Sequence, residues 1–225
     1  MQSHDDYILR VSNLNVKLQA QTILDNLSFE VKRGTTLAIV GPNGAGKTML
    51  FRTLLNLAPY SGKIEWAGRV KIGYVPQRLS VSDIPISVKE FLSFKSTSNI
   101  GDCLSSVGLD SDEMLNKSLG VLSGGQLQRV LIAWAIIDNP NVLLFDEPTT
   151  GVDLDSEEAI YKMLSELKEK SEITILLISH DIHIVRDYSD YMLSINKCKT
   201  FFGESKAIMD PDLQRIIYGE AVCMA

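Results

Sequence analysis

Gly41-Pro42-Asn43-Gly44-Ala45-Gly46-Lys47-Thr48 fits the pattern G-x-x-x-x-G-K-[ST] at every position. Glycines at this spacing let backbone amides curl around a polyphosphate. A helix that starts here adds its unpaired amides and the positive end of its dipole. Lys47 then stands to neutralise the β- and γ-phosphates of a nucleotide, and Thr48 to place a hydroxyl on Mg²⁺. The flanks suit this chemistry. Thr36-Leu37-Ala38-Ile39-Val40 reads as a buried strand, and Met49 to Leu55 carries apolar residues on a helical face.

Two more constellations follow. Val142-Leu143-Leu144-Phe145 is an apolar strand that ends in Asp146-Glu147. A carboxylate there can hold Mg²⁺ through water, which suits Asp146. Glu147 can accept a proton from an attacking water. Taken alone, the pair also reads as an acidic strand end entering a solvated turn. Leu122-Ser123-Gly124-Gly125-Gln126 precedes a long apolar helix. That arrangement is a second helix N-terminus able to grip an anion, with the Ser123 hydroxyl added. It reads equally as a plain N-cap with a permissive glycine pair. His180 ends an apolar strand beside Asp181, a place for a polar sensor or for a structural histidine.

The elements that must position these groups are legible in outline. Residues 7–11 and 26–31 alternate and are predicted strands, linked through the polar Gln19-Ala20-Gln21. Short strands are expected at 63–66 and 71–75, with Pro76-Gln77 ending that region. From Leu79 to Asn139 strand signals vanish. Ser87 and Glu90 spell a capping box before a helix over 88–94. Further helical stretches are expected at 102–107 and 111–116, and a long helix from Gly124 to Asn139-Pro140. Beyond the acidic pair come a helix over 156–170, a strand over 173–178 and a short helix over 181–187. Strands at 191–195 and 200–202 and one helix over 204–218 complete the reading. The expected fold is α/β: a phosphate-loop NTPase core with a mixed sheet over 1–78 and 140–225, and an inserted helical subdomain over 79–139.

The composition excludes several function classes. With 225 residues, of which 45% are hydrophobic and 22% charged, the chain can bury one large core. The net charge of -6 and the absence of a basic run argue against a nucleic-acid partner. Cys103, Cys198 and Cys223 show no metal spacing and no disulfide framework. The acidic, polar start does not read as a signal peptide. The apolar run Val130–Ile137 is far too short to span a membrane, so action at a membrane requires docking on another chain.

The phosphate loop, Gln77 after a short strand, Leu122–Gln126, Asp146-Glu147 and Ser179-His180-Asp181 occur in the order found in an ATPase subunit of an ABC transporter. The chain resembles that family over residues 7 to 203. The resemblance implies a head-to-tail homodimer in the closed ATP state. ATP would sit between the phosphate loop of one subunit and Ser123, Gly124, Gly125 and Gln126 of the other. Gln77 would touch Mg²⁺ and the attacking water and signal to an integral-membrane permease. His180 would contact the γ-phosphate, and Asp153 would lie in the loop that communicates across the dimer. Mg²⁺ would be held through Thr48, Gln77 and Asp146. The aromatic residue that the family stacks on adenine is replaced by Leu18, which implies weaker base discrimination. Trp134 stands where an arginine is common and is expected to pack in the helical segment.

Finer features resemble the ATPases of zinc, manganese and iron-chelate importers. They are Gly73 to Arg78, then Pro85 to Phe91, Gly151-Val152-Asp153, and Ser179 to Val185 followed by Ser189-Asp190. The last two are most similar to the zinc-uptake branch. The resemblance implies an ATPase peripheral to the cytoplasmic face of the membrane, with arrival of the metal through a separate extracytoplasmic binding protein. The residues around Gln77 and the helical subdomain, including Arg78 to Phe91, are the expected docking surface. The alternative is a soluble ABC ATPase that serves as an assembly factor, such as one for Fe–S clusters, without transport.

Overall fold

The structure is a computed structural model that describes residues 6–77, 85–148, 152–196 and 200–218. Arg78, Thr149, Thr150, Gly151, Cys198 and Cys223 lie outside the described residues. The chain divides into two compact units, one formed by the segments up to Val70 and from Thr174 onward, the other by Lys71–Ile173.

The first unit opens with strands β1 (Tyr7–Leu18) and β2 (Gln21–Lys32), paired antiparallel. Strand β4 (Ser61–Trp66) pairs with the other edge of β1, giving the order β2-β1-β4. The two long strands were expected to be shorter. Their simple alternation breaks where the register shifts between Val11 and Leu14. Asn13 and Asn26 take φ values of 50° and 47°, a region that asparagine tolerates better than most residues. Side chains stitch the irregularity together. Asn13 N donates to Ser28 Oγ at 2.9 Å, and Asn26 N to Asn15 Oδ1 at 2.9 Å.

The second sheet of this unit is mixed, as expected. Strand β3 (Thr36–Val40) lies parallel to β7 (Thr174–Ile178) on one side and β8 (Tyr191–Ser194) on the other. Strand β9 (Phe201–Glu204) runs antiparallel to β8. Every residue of β3 and β7 is buried, which is why both read as continuous apolar runs rather than alternating ones. Helix α1 (Lys47–Leu54) follows β3, and α7 (Ile182–Tyr188) follows β7. The single helix expected over 204–218 is two pieces, a 3-10 turn over Ser205–Met209 and helix α8 (Pro211–Tyr218). Asp210, at ψ 117°, is extended, because a residue before proline is pushed out of the helical region. Pro211 then suits the first position of the new helix.

The second unit contains the parallel pair β5 (Ile72–Val75) and β6 (Val142–Asp146), with Val75 beside Phe145. Between them run α2 (Val88–Ser93), α3 (Ile100–Ser106), α4 (Ser111–Met114) and α5 (Gly124–Ile136), and α6 (Leu154–Ser171) follows. The capping box read at Ser87 is formed. Glu90 N donates to Ser87 Oγ at 3.2 Å and Ser87 N to Glu90 Oε2 at 2.8 Å. Helix α5 ends at Ile136, before the predicted Asn139-Pro140. Lys95 Nζ donates to the Trp134 carbonyl at 3.0 Å, which satisfies an orphan acceptor of its last turn. The same ammonium lies 4.5 Å from the centroid of the Trp134 ring, and Phe91 stacks on that ring at 5.9 Å. Trp134 therefore packs among the helices, as expected. Among the described residues no helix is long and apolar enough to cross a membrane.

Candidate active site

In the first unit, parallel pairing aligns the ends of β3 and β7, with Ile39 beside Ile178. The phosphate loop leaves one strand and Ser179-His180 leaves the other, so both emerge at the carboxyl edge of one sheet, where ligands of such sheets bind. Ser179 N donates to the Ile39 carbonyl at 3.3 Å, which ties the two exits together. His180 itself is exposed.

The loop is already shaped. Lys47 is 6% exposed, and its Nζ donates to the carbonyls of Gly41 at 2.9 Å and Pro42 at 3.1 Å. A buried ammonium is costly without such acceptors. They hold it back against the start of the loop. Gly46 caps α1 at φ 102° with no side-chain hydrogen bond, and the first turn carries no acidic residue. Gly46 itself thus supplies no side-chain cap to α1, which suits an anion at that helix end. At Gly41 a Cβ would lie 2.1 Å from the Ile195 carbonyl oxygen, and φ is 142°. Only glycine fits both the space and the backbone there. Leu18 is 57% exposed at the end of β1, opposite Gln21.

In the second unit, the parallel pairing of β5 and β6 brings Gln77 and Glu147 together beyond their ends. Gln77 Nε2 donates to Glu147 Oε2 at 2.5 Å. Glu147 holds φ at 48°, a strained region for this residue and one that recurs at active sites. Asp146 is 2% exposed, and Tyr74 donates to its Oδ2 at 3.4 Å. Asp146 in this unit and Thr48 in the other are both oxygen donors, the kind that Mg²⁺ takes.

Ser123 caps α5. Its Oγ accepts from Gln126 N at 3.2 Å, while Gln126 Oε1 accepts from Ser123 N at 3.2 Å. The serine is exposed, and its hydroxyl proton remains a donor. Gly125 is buried, and a Cβ there would lie 3.2 Å from Ser156 Oγ. The first turn of α5 thus packs against the first turn of α6. Asp153 caps α6 by accepting from Ser156 N at 2.9 Å. That bond, above all, holds the Asp153 carboxyl below its ordinary value.

Sequence reasoning missed Tyr74, Ile195 and Ser156. Tyr74 alternates along a strand with no signal of a polar partner. The other two act by packing against glycines distant in the sequence.

The sequence profile of the ABC transporter family matches residues 24–150, more than half of the chain. This chain belongs to the ABC transporter family. Among curated relatives, the zinc import ATP-binding protein ZnuC of Jannaschia sp. is 34% identical over 215 residues, 94% of this ABC ATPase and 88% of the relative. The protein of the same name from Photorhabdus laumondii is 37% identical over 193 residues, 84% of this chain and 75% of the relative. Among solved structures, a metal-chelate type ABC transporter in an inward-facing conformation matches with a TM-score of 0.85 at 28% identity, covering 94% of this chain and 88% of that one. Membership of this family makes the chain an ATP-binding subunit and an ATPase coupled to transport.

Proposed function

We propose that this ABC ATPase binds and hydrolyses ATP to power an importer for a divalent metal ion, zinc. The likeness to zinc import ATP-binding proteins over most of the chain carries this reading. The glycine that starts α1 and the seated Lys47 support the part concerning ATP.

In this reading two copies close head to tail over two nucleotides. Lys47 and the amides of Gly44 to Thr48 hold the phosphates of one ATP. Ser123 and the amides of Gly124 and Gly125 approach the same ATP from the second copy. Thr48 and Asp146, with Gln77, would hold Mg²⁺, which neutralises the charge that spreads over the phosphate oxygens. Glu147 takes the proton of the attacking water, and His180 orients the γ-phosphate. Hydrolysis releases the closed pair and shifts the population of open and closed permease. Asp153, capping α6 beside Gly125, belongs to the communication between copies. The described part of the docking surface, Pro85 to Phe91, contacts the integral-membrane permease at the cytoplasmic face. A separate extracytoplasmic protein delivers the metal.

The test is cell-associated zinc, manganese and iron in cells carrying either the normal chain or Glu147→Gln, grown with scarce metal. A fall in zinc alone is expected. A fall in manganese or iron instead would replace zinc as the cargo. No change in any metal, with ATPase activity confirmed for the purified normal chain, would overturn the importer reading.

A further inference from the structure

Strand β5 is pinned on one face and reaches a carboxylate on the other. On the first face, a Cβ at Gly73 would lie 2.5 Å from the Ala135 carbonyl oxygen of α5 and 2.6 Å from the Leu143 side chain. Only glycine lets the strand lie that close to the helix. The next residue, Tyr74, therefore points to the opposite face. In the parallel pairing Tyr74 lies beside Leu144 of β6, and Asp146, two residues further on, shares that face. A tyrosine side chain is long enough to span the step, and its hydroxyl donates to Asp146 Oδ2 at 3.4 Å. Both partners belong to the same unit.

This contact answers a need of the carboxylate. Asp146 is 2% exposed, and a buried carboxylate is costly unless hydrogen bonds hold it. Its last torsion is intrinsically loose, with broad wells instead of sharp rotamers. Mg²⁺ demands the reverse: near-ideal octahedral geometry, with several of its waters kept. A carboxylate that receives one of those waters must be turned correctly, and a hydrogen bond from behind is what turns it. A carboxylate accepts at about four sites, so a tyrosine and a metal-bound water can share it. Three residues after Tyr74, Gln77 holds Glu147 at 2.5 Å. The segment from Tyr74 to Gln77 thus holds both carboxylates that end β6.

We infer that Tyr74 is a positioning residue for Mg²⁺: its hydroxyl sets the rotation of the Asp146 carboxylate, and through it the affinity of the nucleotide site for the metal. Tyr74 acts from behind Asp146 and does not itself ligate the ion. The inference rests on the reading of Asp146 as a residue that holds Mg²⁺.

The experiment uses the purified full chain and compares Tyr74→Phe, Asp146→Asn and the double variant with the normal protein. Mn²⁺ is the probe. With the chain in excess over ADP, unbound Mn²⁺ is read by EPR and gives the affinity of the chain and nucleotide together for the metal. Affinity for ADP in EDTA is measured beside it, as a readout of the site without metal. A bond of 3.4 Å is long for a hydroxyl donor, so the expected effect is the low end for a residue behind a metal ligand. Tyr74→Phe should weaken Mn²⁺ about tenfold, with the EDTA affinity unchanged. The double variant should be no weaker than Asp146→Asn alone, because Tyr74 acts through Asp146. Normal Mn²⁺ affinity in Tyr74→Phe, with Asp146→Asn weakened, would overturn the inference alone. So would an equal loss of ADP affinity in EDTA, the mark of a merely structural tyrosine, or additive losses in the double variant. Normal Mn²⁺ affinity in Asp146→Asn would overturn the Asp146 assignment and the inference with it.

Discussion

Gln77 donates from Nε2 to Glu147 Oε2 at 2.5 Å, beyond the ends of two parallel strands whose last residues, Val75 and Phe145, are neighbours. The residue read as the signal to the permease therefore holds the residue read as the general base. While that bond lasts, one carboxylate oxygen of Glu147 is occupied. Without that bond, the oxygen would be open to accept from a water.

Glu147→Gln keeps the side-chain shape and removes the base. Turnover is expected to fall by about 10²- to 10⁴-fold, while ATP binding persists and the closed dimer accumulates. Phosphate release and the elution volume with ATP check this. Near-normal turnover would remove Glu147 from the base role.

Lys47→Ala removes the ammonium from its ring of carbonyls. Nucleotide affinity is expected to drop at least about tenfold, because a charged hydrogen bond is worth about 1.5–3 kcal/mol. Titration with a fluorescent nucleotide measures it, and unchanged affinity would contradict the phosphate-loop assignment.

Leu18 offers apolar contact but no π-face. GTP is expected to compete with ATP within about tenfold, and Leu18→Tyr to favour ATP by about fivefold or more, since base stacking is worth about 1–3 kcal/mol. Competition binding with both nucleotides decides the matter. A large preference for ATP in the normal chain would refute the idea.

The pH dependence follows from the caps. Asp153 is lowered from 3.8 by its bond to Ser156, and Glu90 from 4.5 by its bonds to Ser87. For a carboxylate with a depressed folded value, the added stability is fully present above the unfolded value. It is lost as pH falls through the folded one. Both caps therefore hold at pH 5 and fail only in stronger acid. Asp153→Asn, which caps without titrating, should narrow the loss of stability between pH 5 and pH 3 in urea unfolding. An unaltered loss would show that the cap contributes nothing to acid sensitivity.

Much of the site was legible because its signals are local. The loop Gly41–Thr48, the Ser87 capping box and the strand ending in Asp146 each carry their physics in adjacent residues. What escaped depends on distant segments. The bulge pairing Asn13 with Ser28 concealed the true length of β1. Pro211 split a helix whose apolar spacing alone looked continuous. Tyr74 and Ile195 reach Asp146 and Gly41 across strand pairing that no local pattern announces.

The close fit of Gly125 on Ser156 changes what a substitution at that glycine can teach. A side chain there would push on α6 and on the Asp153 cap as well as on any phosphate that Ser123 and the first turn of α5 receive. Lost turnover in Gly125→Ala would thus have two separable origins. A companion change that shrinks the opposing wall, Ser156→Gly, tells them apart: recovery would assign the loss to packing, and persistence would assign it to the phosphate contact.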